Sequence, residues 1–262
     1  MKNLKKIVAL LLAVLMIVAV FTGCGGGKEK TGLEAIKERG KLVVLTNASF
    51  PPFEYIDANG NVAGVDIDSV QYMADKLGVQ LEMVDMDFDL LIDSLKNGKG
   101  DIVAAGMTAR PDRAEIIDFS IIYISMGLKV IVPVGTDIQT FDDLDGKRIA
   151  VQEATTADIY AQENYKNAEI LAFKSAIDAG NAVKSGNADC AIIDLLPAEY
   201  MAANSEEIYL MEDLLSAEET AMGVAKNNPE LLNFVNECLK EIMESGSLDA
   251  SFDKHMENFS LE

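Results

Sequence analysis

Tryptophan is absent from this chain of 262 residues, histidine occurs once, at position 255, and cysteine occurs three times, at positions 24, 190 and 238. Cysteines so few and so scattered cannot build a disulfide framework. A single histidine in the C-terminal tail leaves the rest of the chain without the commonest proton carrier of acid–base catalysis. Without tryptophan, intrinsic fluorescence is a poor reporter of binding. Positive charge is scarce: 22 lysines and arginines stand against 43 acidic residues, a formal net charge of −21. That balance excludes nucleic acid as a partner and excludes electrostatic adhesion to an anionic membrane. The uninterrupted apolar run at residues 7–21 holds 15 residues, too few for an ordinary spanning helix. What is present is a chain that is 49% apolar and 25% charged, enough for a real core and one or two domains.

The N-terminus reads as a targeting segment. Lys2, Lys5 and Lys6 form a charged start, the run at 7–21 has the length of a signal h-region, and Phe21-Thr-Gly-Cys24 closes it. The small-small-Cys ending resembles a bacterial lipobox, with Cys24 as the lipidated first residue after cleavage and residues 1–23 as the signal peptide. Phe21 departs from the usual leucine, and an ordinary secretory signal with a stray cysteine is the alternative. Loss of the three lysines takes the charge from −21 to −24. Attachment to a membrane then has to come from acyl chains, two or more of which hold stably. Residues 24–32, rich in glycine, are a flexible tether.

From residue 33 onward the pattern alternates. Compact apolar strands at 41–46, 79–84 and 101–104 are separated by helical stretches at 66–77 and 88–96, which Gly78 and Gly98 stop. Asp66 is placed to cap the first of these helices. After a longer strand at 127–134 the pattern restarts, with strands at 147–151, 169–173 and 189–193 and helices at 155–164 and 175–185. Strands alternating with helices predict an α/β fold: two lobes, each a mostly parallel sheet with flanking helices. Residues 33–126 and 225–262 are assigned to lobe one and 130–220 to lobe two, with hinge strands at 127–131 and 220–224. A ligand cleft in such a fold lies at the carboxyl ends of the strands.

Four segments converge there. Residues 104–120 carry the densest chemistry: the backbone N–H groups of Ala105, Gly106, Met107 and Thr108, the Thr108 hydroxyl, and Arg113 just inside a short helix that Pro111 opens. Together they suit a small carboxylate. Asp194 ends the strand Cys190-Ala-Ile-Ile and is placed to take an ammonium group, although a helix cap is an equally simple role. Phe50 and Phe88 can sandwich an aliphatic stem or simply pack. Asn47 and Gln152 can hydrogen-bond a polar tip. The set describes a site for a free amino acid.

The order and spacing of Phe50-Pro-Pro-Phe-Glu-Tyr55, Gly64-Val-Asp-Ile-Asp68, Met86-Asp-Phe-Asp89, Asp101-Ile-Val-Ala-Ala-Gly-Met-Thr108, Arg113, Asp118-Phe-Ser120, Phe141-Asp-Asp-Leu-Asp-Gly-Lys147 and Val151-Gln-Glu-Ala-Thr-Thr156 resemble the polar amino-acid solute-binding proteins of ABC importers, extracellular family 3. The resemblance spans residue 41 to about residue 243. It implies a hinge-closing protein of the periplasmic-binding-protein type, in lipoprotein form, a monomer held outside the cell membrane by its lipid and serving an ABC permease. It implies that Arg113, Gly106 and Thr108 take the ligand carboxylate, Asp194 the ammonium, Phe50 and Phe88 the side chain, and that Thr155 and Thr156 contribute from lobe two. No cofactor and no metal are implied. One residue departs from the family pattern: Arg110 stands where Thr or Ser is usual, and it either shifts a carboxylate contact or points to solvent. An enzyme of this fold would need an acid–base pair in the cleft. Glu153 is the one carboxylate in a cleft loop besides Asp194, and it has no evident partner. A ligand-sensing role beside a membrane receptor is a further alternative.

Overall fold

Two five-stranded sheets organise residues 32–257, the part of the chain described by the computed structural model. The expected signal peptide, Cys24 and the tether up to residue 31 lie outside the described residues. Helix α1 (Leu33–Arg39) leads into β1 (Lys41–Thr46), followed by a three-stranded flap of β2 (Ser49–Phe50), β3 (Glu54–Ile56) and β4 (Val62–Ala63). Then come α2 (Val65–Leu77), β5 (Gln80–Asp85), α3 (Leu91–Lys96), β6 (Ile102–Val103), the one-turn α4 (Pro111–Ala114) and β7 (Ile117–Phe119). Strand β8 (Ile124–Met126) leaves the first lobe. The second lobe is β9 (Leu128–Pro133), β10 (Arg148–Gln152), α5 (Thr156–Asn164), β11 (Glu169–Phe173), α6 (Ala176–Lys184), β12 (Cys190–Asp194), α7 (Leu195–Ala203) and β13 (Ile208–Leu210). Strand β14 (Glu218–Thr220) returns, β15 (Gly223–Ala225) rejoins the first sheet, and α8 (Pro229–Glu244) and α9 (Ser247–Glu257) pack on lobe one.

The first sheet runs β5-β1-β6-β15-β7, with β1 parallel to both neighbours and β15 antiparallel to both of its own. The second runs β11-β10-β12-β9-β13, with β10 parallel to its neighbours and β9 antiparallel to its own. Central strands are covered on both faces, so their side chains alternate between two cores rather than between core and water. Val44 and Ile102 enter one apolar cluster while their neighbours Leu45 and Val103 enter another. Ala150 and Ile131 join the first of these, and Ile149, Val151 and Val130 a third. This explains why the strands read as continuous apolar runs. Gly78 closes α2 at φ 71, a left-handed conformation in which its N–H reaches back to the last turn.

The connection between the lobes departs from the expected hinge strands at 127–131 and 220–224. The paired ribbon is β8 with β14, Met126 facing Glu218 and Ile124 facing Thr220. Residues 128–133 are already a strand of the second sheet, and 223–225 a strand of the first. The apolar run gives no hint of the break, which falls at Gly127. A Cβ there would stand 2.1 Å from the Ser216 carbonyl oxygen. The Gly127 carbonyl instead accepts the Leu195 N–H at 2.8 Å.

Candidate functional site

The loop after β6 is held from three sides. Gly106 adopts φ 53 and donates its N–H to Asp66 Oδ2 at 3.0 Å, and a Cβ on it would meet the Phe50 ring at 2.6 Å. The Met107 carbonyl accepts the Ala221 N–H at 3.0 Å, and Thr108 bridges to Thr220 on the returning strand. The next helix, α4, begins with Pro111 and delivers Arg113, which is 6% exposed. The guanidinium donates to the Thr108 carbonyl and to the Ala154 carbonyl, each at 3.0 Å, and lies 5.2 Å from the centre of the Phe88 ring. Burial, and then the nearby Arg110 charge, lower its pKa to about 10, which still leaves it a cation at neutral pH.

Lobe two presents the start of α5. The Thr155 hydroxyl donates to the Gln152 carbonyl at 2.7 Å and accepts the Asp158 N–H at 3.3 Å, so it caps the helix. Ala154, just before it, takes φ 61, which turns its carbonyl to Arg113 while its N–H bonds Asp158. The positive end of the α5 dipole therefore stands beside the Arg113 guanidinium, and an anion between them is favoured by both. Asp194 holds the N-cap position of α7, but its side chain caps nothing. It is 6% exposed, and its Oδ1 has no hydrogen-bond partner. Burial, then the charge of Glu218 on β14, push its pKa up to about 7.

These groups wall one small enclosure, which the facing lobes shut down to about 10 Å³, room for little more than one water. Of the twelve residues expected in the site, ten line it: Phe50, Phe88, Ala105, Gly106, Thr108, Arg113, Gln152, Thr155, Thr156 and Asp194. Two do not. Met107 is 1% exposed and packs into the core behind the loop. Asn47 stands behind Gln152, its amide engaged by the Met86 carbonyl at 2.9 Å and by Gln152 Nε2 at 2.8 Å. Two expected contacts also change character: the Gly106 N–H is taken by Asp66, and the Thr155 hydroxyl is taken by its own helix. Arg110 is paired with Asp112 through Nε at 3.0 Å and Nη2 at 2.7 Å, outside the enclosure. Glu153 has a partner after all, Lys174 at 2.7 Å.

The lobes meet across this site. Besides Arg113 with Ala154 and Gln152 with Asn47, the Thr156 hydroxyl donates to the Thr108 hydroxyl at 3.2 Å, and Lys174 reaches Asp89 at 3.1 Å. The groups missed in the sequence are Asp66, Tyr123 and Lys174, whose partners are far off along the chain, and Glu218, which bonds its near neighbour Ser216 but acts on Asp194. His255 lies elsewhere, 3% exposed, with Nδ1 2.8 Å from the Tyr55 hydroxyl and Nε2 3.0 Å from Asp68. A cation with a helix N-terminus on one side, an unpartnered carboxylate on the other and aromatic walls between can bind a small molecule that carries both charges.

The family model of bacterial extracellular solute-binding proteins, family 3, matches residues 42–258. The arginine-binding extracellular protein ArtP of Bacillus subtilis is 32% identical over 248 residues, which covers 92% of this chain and 94% of that protein. A mutant of ArgBP from T. maritima superposes with a TM-score of 0.83 at 36% identity, over 87% of this chain and 100% of that one. The ancestral amino acid-binding protein AncCDT-1, described as a precursor of cyclohexadienyl dehydratase, gives 0.78 at 35% identity, over 86% and 98%.

Proposed function

Because the chain belongs to the bacterial extracellular solute-binding proteins, family 3, we propose that it captures a free L-amino acid outside the cell by closing its lobes and delivers it to an ABC permease. At the coarser level it is an amino-acid-binding protein of the ABC-transporter type. One observation carries the proposal: Arg113 and Asp194, both buried, face the same enclosure, and Asp194 Oδ1 has no hydrogen-bond partner there. The α-carboxylate goes to Arg113, Thr108 and the α5 N-terminus, and the α-ammonium goes to Asp194. A buried carboxylate without a partner is costly, and an ammonium removes that cost.

Lobe one receives the ligand first, through Arg113, Thr108 and Phe50. Closure about the β8–β14 ribbon then adds Asp194 and Thr156. The side chain runs between Phe50 and Phe88 toward the Asn47–Gln152 amides. The acidic residues Asp87, Asp89 and Glu153 gather around Lys174 at the lobe boundary. Those surroundings suit a polar or cationic side chain, and L-arginine, the ligand named for ArtP, is the first to test. A thermal-shift screen of the amino acids decides the matter. A ligand at about 100 times its dissociation constant adds about 2.7 kcal/mol, roughly 5–10 °C for a domain of this size. Shifts are expected for L-enantiomers with polar or cationic side chains and not for decarboxylated analogues. A screen with no shift for any amino acid would sink the proposal.

Attachment outside the cytoplasmic membrane is assigned to acylated Cys24, because a mature charge of −24 opposes any electrostatic hold. Cys24→Ser is expected to move the protein from the membrane fraction to the soluble one, and continued sedimentation with membranes would refute the anchor. Within this proposal the protein performs no catalytic step.

A further inference from the structure

Asp66 is 0% exposed, a carboxylate wholly withdrawn from water. It lies one residue inside α2, yet the N-cap position belongs to Gly64 and Asp66 caps nothing, contrary to the capping role expected from its position. Such a group is tolerated only where hydrogen bonds replace its hydration. Its oxygens have two donors. Oδ2 accepts the Gly106 N–H at 3.0 Å, and Oδ1 accepts the Tyr123 hydroxyl at 2.7 Å. Gly106 is the middle of the loop that walls the ligand enclosure. Tyr123 directly precedes β8 and donates its own N–H to Thr220 of β14 at 3.1 Å. One carboxylate therefore touches both the binding loop and the ribbon between the lobes.

The groups facing it are few. From β3 comes Glu54, also 0% exposed, whose pKa burial and then the Asp66 charge hold well above the usual carboxylate range. Asp85, at the end of β5, adds to that shift, and burial also raises the Tyr123 phenol. Asp66 itself is raised to about 6 by burial, held down by its bonds to Tyr123 and Gly106. Burial and the Asp66 charge favour the protonated form of Glu54 over a second charge beside Asp66. The Gly106 N–H and the Tyr123 hydroxyl are placed to absorb the Asp66 charge.

We propose that Asp66 is a positioning residue of the amino-acid site, orienting the loop through the Gly106 N–H and coupling that loop, through the Tyr123 hydroxyl, to the ribbon between the lobes. The proposal rests on the amino-acid-binding reading above, so its test has one arm that needs no ligand. In 15N-labelled protein the Gly106 amide resonance is followed against pH. It is expected to inflect near pH 6 in the wild type and in Asp194→Asn, as its acceptor ionises. The inflection disappears in Asp66→Asn. It moves to higher pH in Tyr123→Phe, because the phenol bond holds the Asp66 pKa down. In the second arm L-arginine is titrated calorimetrically. Losing one charge-assisted bond to the loop weakens binding about tenfold in Asp66→Asn and about fivefold in Tyr123→Phe. A Gly106 amide that does not titrate, or a Tyr123→Phe protein with wild-type affinity and an unmoved inflection, overturns the proposal, and Tyr123→Phe decides it should Asp66→Asn fail to fold. Wild-type protein that binds no amino acid while Gly106 titrates as described overturns the functional reading and supports the loop-positioning half.

Discussion

Arg113→Ala abolishes amino-acid binding at any concentration a transport protein meets: the expected loss is about 4 kcal/mol, roughly a thousandfold in dissociation constant. The guanidinium is buried, and its two anchors, the carbonyls of Thr108 and Ala154, fix its plane. Its removal leaves the ligand carboxylate desolvated beside a helix N-terminus without its counter-charge. Arg113→Lys loses most of the same affinity, because an ammonium cannot hold two carbonyls and a carboxylate in one plane. The free protein is expected to melt close to the wild-type temperature, since the guanidinium faces the enclosure and belongs to no apolar core. Calorimetry on both variants with the ligand found by the thermal-shift screen tests this, and unchanged affinity in Arg113→Ala would refute the site.

Asp194→Asn is expected to cost about a hundredfold at pH 8, where the wild-type carboxylate is ionised, and far less at pH 5, where it is protonated. With a pKa of about 7 for Asp194 buried in the enclosure, the wild-type affinity is expected to climb about tenfold per pH unit from pH 5 to 7 and then level off. The variant has no such climb, so the two curves converge in acid. Stability runs the other way. A carboxyl whose folded pKa is raised binds its proton more tightly in the native state. Its contribution is therefore complete below the unfolded value, near 4, and is lost as pH rises through about 7. The wild-type free protein, compared with Asp194→Asn, should lose melting temperature between pH 5 and pH 8, and a saturating ligand should erase the difference. Parallel affinity curves for the two proteins would show that Asp194 does not hold the ammonium.

What the sequence made legible follows from period and from position at strand ends. Compact apolar runs mark the strands, and strand ends in an α/β fold face one crevice, which points Phe50, Thr108, Arg113, Gln152, Thr156 and Asp194 to one place. What it hid were pairings with no local signature. Gly106 and Tyr123 stand 40 and 57 positions from Asp66, and Asp89 stands 85 from Lys174. A buried acid near a helix start looks the same as a surface cap until its partners are known, which is why Asp66 read as one. Asn47 reads in the sequence as a partner for a polar tip, and Met107 as one of the loop's backbone N–H groups. Side-chain alternation turns Met107 into the core, and the Met86 carbonyl holds Asn47 behind Gln152. Arg110 found a partner two residues away, the shortest-range pairing in the loop and still invisible to spacing alone.

Bonds that run from one lobe to the other include Asn47 to Gln152, Thr108 to Thr156, Arg113 to Ala154 and Asp89 to Lys174. Under the proposed function, closing the lobes over Asp194 without an amine would strand a charge or force a proton onto it. The carboxylate proposed to hold the cargo would then also disfavour shutting on nothing, and Asp194→Asn cells are expected to show idle ATP turnover at the permease as well as weak uptake.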